Sequence, residues 1–89
     1  MAKRGKLEII KDILLTINKH HNSINITPLI RQSNMSSSRF REYYSELIEK
    51  EFVKETTRNR NKFVYLSEKG VKFLEKYKTL ISFIDEFEL

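Results

Sequence analysis

Apolar residues recur along this chain in two rhythms, and the switches between them mark out seven elements. Leu7, Ile10, Leu14 and Ile17 fall at 3-4-3 spacing with Ile13 beside them, which predicts an amphipathic helix over residues 6–20. Ile9 and Leu15 widen its apolar stripe, so this helix should meet more than one neighbour. Lys19, His20 and His21 place cations in the last turn, complementing the helix dipole, and Asn22 ends it. Residues 23–26 read as brief and extended. Thr27 and Pro28 then suit an N-cap followed by the first helical position, where the missing proline N–H is no loss, and a short helix runs to about Ser33. Asn34 and Met35 make a tight connection. Ser36 caps a third helix over 37–50, with Phe40, Tyr44, Leu47 and Ile48 facing inward and Tyr43 at the edge.

The rhythm then changes. Residues 52–56 and 62–66 are β-prone runs rich in Val, Thr, Phe and Tyr, and they flank a polar stretch, 57–61, that predicts a five-residue hairpin tip. Ser67 caps a final helix, with Gly70 in its first turn, where low helix propensity matters least. A short helix joined by a tight turn to a second, capped helix is a helix-turn-helix arrangement, and a hairpin directly after it is a wing. The expected fold is mainly α with a small β-hairpin: a winged helix-turn-helix with a long C-terminal helix.

Three stretches carry a family resemblance: Asn34-Met35-Ser36-Ser37-Ser38, Leu47-Ile48-Glu49-Lys50-Glu51-Phe52-Val53 and Tyr65-Leu66-Ser67-Glu68-Lys69-Gly70. They resemble archaeal winged helix-turn-helix proteins, most of all small basic DNA-binding proteins that dimerise through a long C-terminal helix in an antiparallel coiled coil. The resemblance extends from about Lys6 to Phe87. Glu51 stands where such proteins usually have Gly, which predicts a less tightly turned exit from the third helix.

Charge sharpens this picture. The 89 residues make one domain, too short for two independent cores, and carry 17 basic against 12 acidic side chains, a net of +5. Residues 1–66 hold 13 basic and 7 acidic groups, whereas 67–89 hold 4 and 5. A basic body with a near-neutral tail suggests a polyanion-binding surface plus a segment with another job. The division expected is a DNA-binding domain over 1–66 and a dimerisation helix over 67–89. The absence of cysteine removes disulfides, cysteine zinc sites and thiol catalysis, and fits a cytoplasmic, nucleoid-associated location. No apolar run approaches the ~20 residues of a membrane span. Glu8, Lys11 and Asp12 interrupt what would be a signal-peptide core.

Enzymatic chemistry lacks its parts. His20 and His21 are adjacent, so on a helix they diverge by about 100° and do not chelate together. Ser36, Ser37 and Ser38 have neither a nucleophile elbow nor a fixed base, and there is no phosphate-binding glycine loop. The expectation is no enzyme, no cofactor, no metal and no small-molecule ligand.

Contacts to nucleic acid are better supplied. Opposite its core side, the third helix presents Ser38, Glu42, Ser45 and Glu49, flanked by Arg39 on one edge and by Ser37 and Arg41 on the other. The N-terminal part of such a helix enters the major groove. Ser36, Ser37 and Ser38 are short donors, Arg39 and Arg41 suit guanine or phosphate, and Glu42 suits a cytosine amino group. The plainer reading pairs both arginines with neighbouring acids such as Glu42 and Glu46. The tip Arg58, Asn59, Arg60, Asn61 and Lys62 reads as a minor-groove or backbone contact. Arg31 and Gln32 suit phosphates. Lys3, Arg4 and Lys6 form a second basic arm or a tail without a partner. Duplex binding is favoured over single strands, because aromatic platforms for stacking are few at the basic surface.

As a continuous helix, residues 67–89 would span about 34 Å. Phe73, Tyr77, Leu80, Ile84 and Phe87 follow 4-3-4-3 spacing, and Ile81 lies beside them, a coiled-coil-like seam. A stripe of this kind marks an interaction surface. It serves either a homodimer or a helix folded back on the first one. The function expected is double-stranded DNA binding as a homodimer, by a transcriptional regulator or chromatin-type protein. The alternative is a winged-helix protein-interaction module whose basic tip meets an acidic partner.

Overall fold

In the structure, a computed structural model that describes residues 5–88, the chain forms α1 (Lys6–Lys19), β1 (Ile24–Asn25), α2 (Ile26–Gln32), α3 (Ser37–Glu49), β2 (Val53–Arg58), β3 (Asn61–Leu66) and α4 (Glu68–Glu86). This is the mainly helical winged helix-turn-helix that the hydrophobic pattern predicts. α1 is the central element: Ile9, Ile10, Ile13, Leu14 and Ile17 are all buried. They meet Ile24, Leu29, Phe40, Leu47, Val53, Val64 and Leu66, one core shared by every element except α4. Tyr43, Tyr44 and Ile48 pack half-buried at its margin, as does Met35.

The strands form one antiparallel sheet in the order β1-β3-β2. The two-residue β1 pairs Ile24 with Val64 and Asn25 with Phe63, so the segment before α2 becomes the third strand of the wing's sheet. The wing differs from the five-residue tip expected. Both strands run further, Arg58 pairs with Asn61, and the turn is only Asn59 and Arg60. Their φ angles of 50° and 67° are those of a type I′ turn, whose twist matches the flanking strands. Cross-strand pairing wins over local polarity here.

Three helix ends also differ. α1 stops at Lys19, and His21 and Asn22 follow in the left-handed region at φ 59° and 61°. Asn22 Oδ1 accepts the Leu66 N–H at 2.8 Å, which ties this loop to β3. Thr27 is not the cap of α2: Asn25 Oδ1 accepts the Thr27 N–H at 3.0 Å, Ile26 opens the helix, and Pro28 falls third. Proline is still harmless there, since the first four N–H groups of a helix lack intrahelical partners. α4 ends at Glu86, short of the full run to Leu89, which lies outside the described residues.

The exit from α3 is as tight as a glycine would make it. Glu51 takes φ 62°, its N–H reaches Ile48 O at 3.0 Å, and the Phe52 N–H reaches Leu47 O at 2.9 Å. That is the complete Schellman pattern, closed by a residue with a Cβ in place of the usual glycine. Tertiary bonds hold it. Ser67 Oγ lies 2.6 Å from Glu51 O and 3.0 Å from Phe52 O, and Lys69 Nζ donates to Lys50 O at 2.8 Å.

Gly70 explains how closely α4 approaches this turn. It is buried, and a Cβ there would sit 2.3 Å from the Phe52 carbonyl oxygen. Phe73 and Leu74 continue the contact, with the Phe73 ring edge-on to Phe52 at 5.5 Å. Tyr77, half-buried beside Lys11 of α1, is the last ring to pack on the body, and beyond it α4 projects. The radius of gyration is 13.7 Å, against about 12 Å for a compact chain of this length.

Candidate nucleic-acid interface

α3 is positioned by Phe40 and Leu47, both buried, and by its cap: Ser36 Oγ accepts the Arg39 N–H at 3.2 Å. Left-handed Asn34, at φ 59°, turns the chain between α2 and α3. The cap leaves Ser37, Ser38, Arg39, Arg41, Glu42 and Ser45 exposed along the outer face. No acidic side chain occupies the first turn of α3, whereas α1 and α4 each carry one there. The positive end of its dipole is thus left free for an anion.

The arginines are equally free. Among the described residues neither Arg39 nor Arg41 forms an ion pair; Glu46 instead binds Lys6 and Lys50, each at 2.8 Å. Those two ammonium groups hold the Glu46 carboxyl down at about 2. Lys6 therefore does not belong to a free basic arm. It opens α1 and ties that helix to α3. Lys3 and Arg4 lie outside the described residues.

The wing presents its cations unequally. Asn59, Arg60 and Asn61 are exposed at the turn. Arg58 is held: its guanidinium lies 5.0 Å from the Phe63 ring centroid and donates to Ser23 Oγ at 3.2 Å. Lys62 Nζ stands 3.7 Å from Glu55 Oε2. Among the described residues Arg60 is thus the tip's unengaged cation. On α2, Arg31 and Gln32 are exposed, and Gln32 Nε2 lies 3.5 Å from His20 Nε2.

Two residues escape sequence reasoning. Ser23 carries Arg58, and Tyr44, expected simply to face the core, donates its hydroxyl to Glu55 on β2. A tyrosine at the core margin buries its ring and carries a hydroxyl that seeks an acceptor. Glu55, two residues from buried Val53 and so on the same strand face, was the available one.

The proposed seam on α4 divides in two. Phe73 and Tyr77 are half-buried against their own chain, with Lys11 Nζ 5.8 Å from the Tyr77 ring centroid. Leu80, Ile81, Phe83 and Phe87 are 40–58% exposed, with Ile84 half-buried among them and the Phe83 and Phe87 rings 4.8 Å apart. An open groove of about 620 Å³ runs between α1 and α4, lined by Leu15, Val71, Leu74 and Ile81 among others. Among the described residues no cluster of His, Asp and Glu suits a metal ion, and no helix is long and apolar enough to cross a membrane.

A capped helix-turn-helix, a following hairpin and a cationic outer face define a winged-helix protein. The chain belongs to the winged helix-turn-helix family, whose profile matches residues 3–85. Solved structures agree on the fold. Sso10a-2, a DNA-binding protein from Sulfolobus solfataricus, superposes with a TM-score of 0.74 at 22% identity, over 96% of this chain and 86% of that one. SSV1 F-93 gives 0.68 at 29% identity, covering 97% of both chains. F93 from STIV, described as a winged-helix DNA-binding protein, gives 0.74 at 18% identity over 89% of this chain and 91% of the other. No curated protein matches the sequence at a significant level.

Proposed function

We propose that the protein binds double-stranded DNA as a homodimer, acting in the cytoplasm on the nucleoid as a transcriptional regulator or chromatin-type organiser. The observation that carries this reading is the outer face of α3, where Arg39 and Arg41 are exposed and, among the described residues, free of acidic partners, beside a helix N-terminus with no acidic side chain in its first turn. Ser37 and Ser38 supply short donors beside them, while Ser36 serves as the cap. Glu42 and Ser45 lie further along the same face. Arg60, with Asn59 and Asn61, follows the adjacent groove; Arg58 and Lys62 add charge to the wing; Arg31 and Gln32 meet the backbone. The DNA-binding descriptions of Sso10a-2 and F93 from STIV support the same partner.

Residues 1–66 make the DNA-binding body, and 67–89 supply the pairing helix. Leu80, Ile81, Phe83, Ile84 and Phe87 form the part of the stripe left for a second copy, whereas Phe73 and Tyr77 anchor it to the body. Burying such side chains contributes about 1.5–3 kcal/mol each. The reading requires no cofactor and no chemistry.

Fluorescence anisotropy of a labelled duplex, competed with defined and random DNA, tests it. Arg39→Ala with Arg41→Ala should weaken binding at least tenfold, and Arg58→Ala with Arg60→Ala should also weaken it. Unchanged affinity in the first variant removes α3 from the interface; in the second, it removes the wing.

A further inference from the structure

We propose that Tyr44 and Glu55 are positioning residues that brace the wing against the recognition helix and so set where Arg60 meets DNA. This rests on the duplex-binding reading. The geometry is a chain of contacts on the core-side face of the wing. The Tyr44 ring stacks on buried Phe40 at 5.5 Å, its hydroxyl donates to Glu55 Oε2, and Lys62 Nζ lies 3.7 Å from the same oxygen. The brace therefore links the core of α3, strand β2 and strand β3.

Each member suits the task. A phenol titrates at about 10, so the Tyr44 hydroxyl is a donor at working pH, and burial and the adjacent carboxylate push it higher still. Lys62 offsets the Glu55 charge, which would otherwise repel phosphate. On the opposite face, Arg58 lies over Phe63 and bonds to Ser23, steadying the strands but making no link to α3. Tyr44–Glu55 is the one side-chain hydrogen bond joining α3 to the wing among the described residues.

A brace matters because the wing projects. Strands rise about 3.3 Å per residue, which places the turn roughly 10–13 Å beyond Glu55. A swing of about 10° at that point would carry Arg60 roughly 2 Å, and hydrogen-bond distances tolerate only about 0.5 Å. Beyond the Asn25–Phe63 pair the wing is a two-stranded ribbon, which is at best marginally stable by itself.

The test is a double-mutant cycle on the full chain, read by duplex anisotropy at one fixed salt concentration. In the parent chain Arg60→Ala should weaken binding about tenfold, the range of a charge-assisted contact. In a Tyr44→Phe background the same change should cost about threefold or less, because the tip no longer sits where Arg60 can act. Glu55→Ala, which alters no core packing, should give the same loss of coupling. Glu55→Gln retains an acceptor and should restore the full Arg60 cost. Equal Arg60 costs in all backgrounds overturn the brace, as does a Glu55→Gln chain behaving like Glu55→Ala. A parent chain that does not bind duplex at all overturns instead the reading on which it rests.

Discussion

Replacing Gly70 by Ala sets two effects of opposite sign against each other. Helix propensity favours alanine by at most about 0.5–1 kcal/mol, the helix-interior figure, and by less in a first turn. The packing opposes it. The new Cβ would lie 2.3 Å from the Phe52 carbonyl oxygen, whereas a carbon–oxygen contact needs about 3.3 Å. Either α4 or the Phe52 peptide must therefore move by roughly 1 Å. That carbonyl accepts from the Ser67 N–H at 3.1 Å and from Ser67 Oγ at 3.0 Å, two of the bonds that seat α4 on the exit of α3. Overpacking costs about 1–3 kcal/mol and each weakened hydrogen bond about 1. The net expectation is a loss of about 2–4 kcal/mol, or a fall in Tm of roughly 10–25 °C for a domain of this size. Thermal and urea unfolding followed by circular dichroism measure it, with protomer concentration held fixed because a dimer's stability depends on it. An Ala variant as stable as the parent, or more so, would refute the close approach and with it the account of how α4 docks.

Glu51→Gly should stabilise the chain by about 0.5–1 kcal/mol, since a left-handed residue with a Cβ carries a strain of about 1–2 kcal/mol that glycine avoids at some entropic cost. Any fall in Tm contradicts the Schellman geometry. The Glu46 carboxyl should titrate at about 2, below its ordinary 4.5, so its stabilising effect is complete above roughly pH 4.5 and disappears as pH falls through 2. Carbon-13 NMR would read the midpoint, and Lys50→Met should raise it; an unmoved midpoint would mean the pair is not formed. Phe83→Glu with Phe87→Glu should halve the mass in solution by light scattering while leaving helical content intact. A variant that keeps its dimer mass would place the pairing surface elsewhere.

What was legible in the sequence depended on short range. The α1 stripe, the serine caps at 36 and 67 and the alternating strands are written by neighbours within a turn or a pleat. The partners that complete the site are remote. Asn22 meets Leu66, Ser23 meets Arg58 and Tyr44 meets Glu55 across 44, 35 and 11 residues, and no local pattern announces them. Lys6 shows the same limit: beside Lys3 and Arg4 it reads as part of a basic arm, yet its partner Glu46 lies 40 residues away. Gly70 was visible as a glycine at a helix start, but its necessity depends on the path of Phe52. The candidate face on α3 was readable because helical geometry places Arg39 and Arg41 without reference to anything distant.

The most direct measurement is duplex affinity across a salt series on protein of known mass. If a dimer offering two α3 faces and two wings neutralises about 6–10 phosphates, affinity should fall about 10³–10⁵-fold between 50 and 200 mM salt, linearly on logarithmic axes. A flat response over that interval, or binding that ignores duplex while capturing an acidic protein, would contradict it.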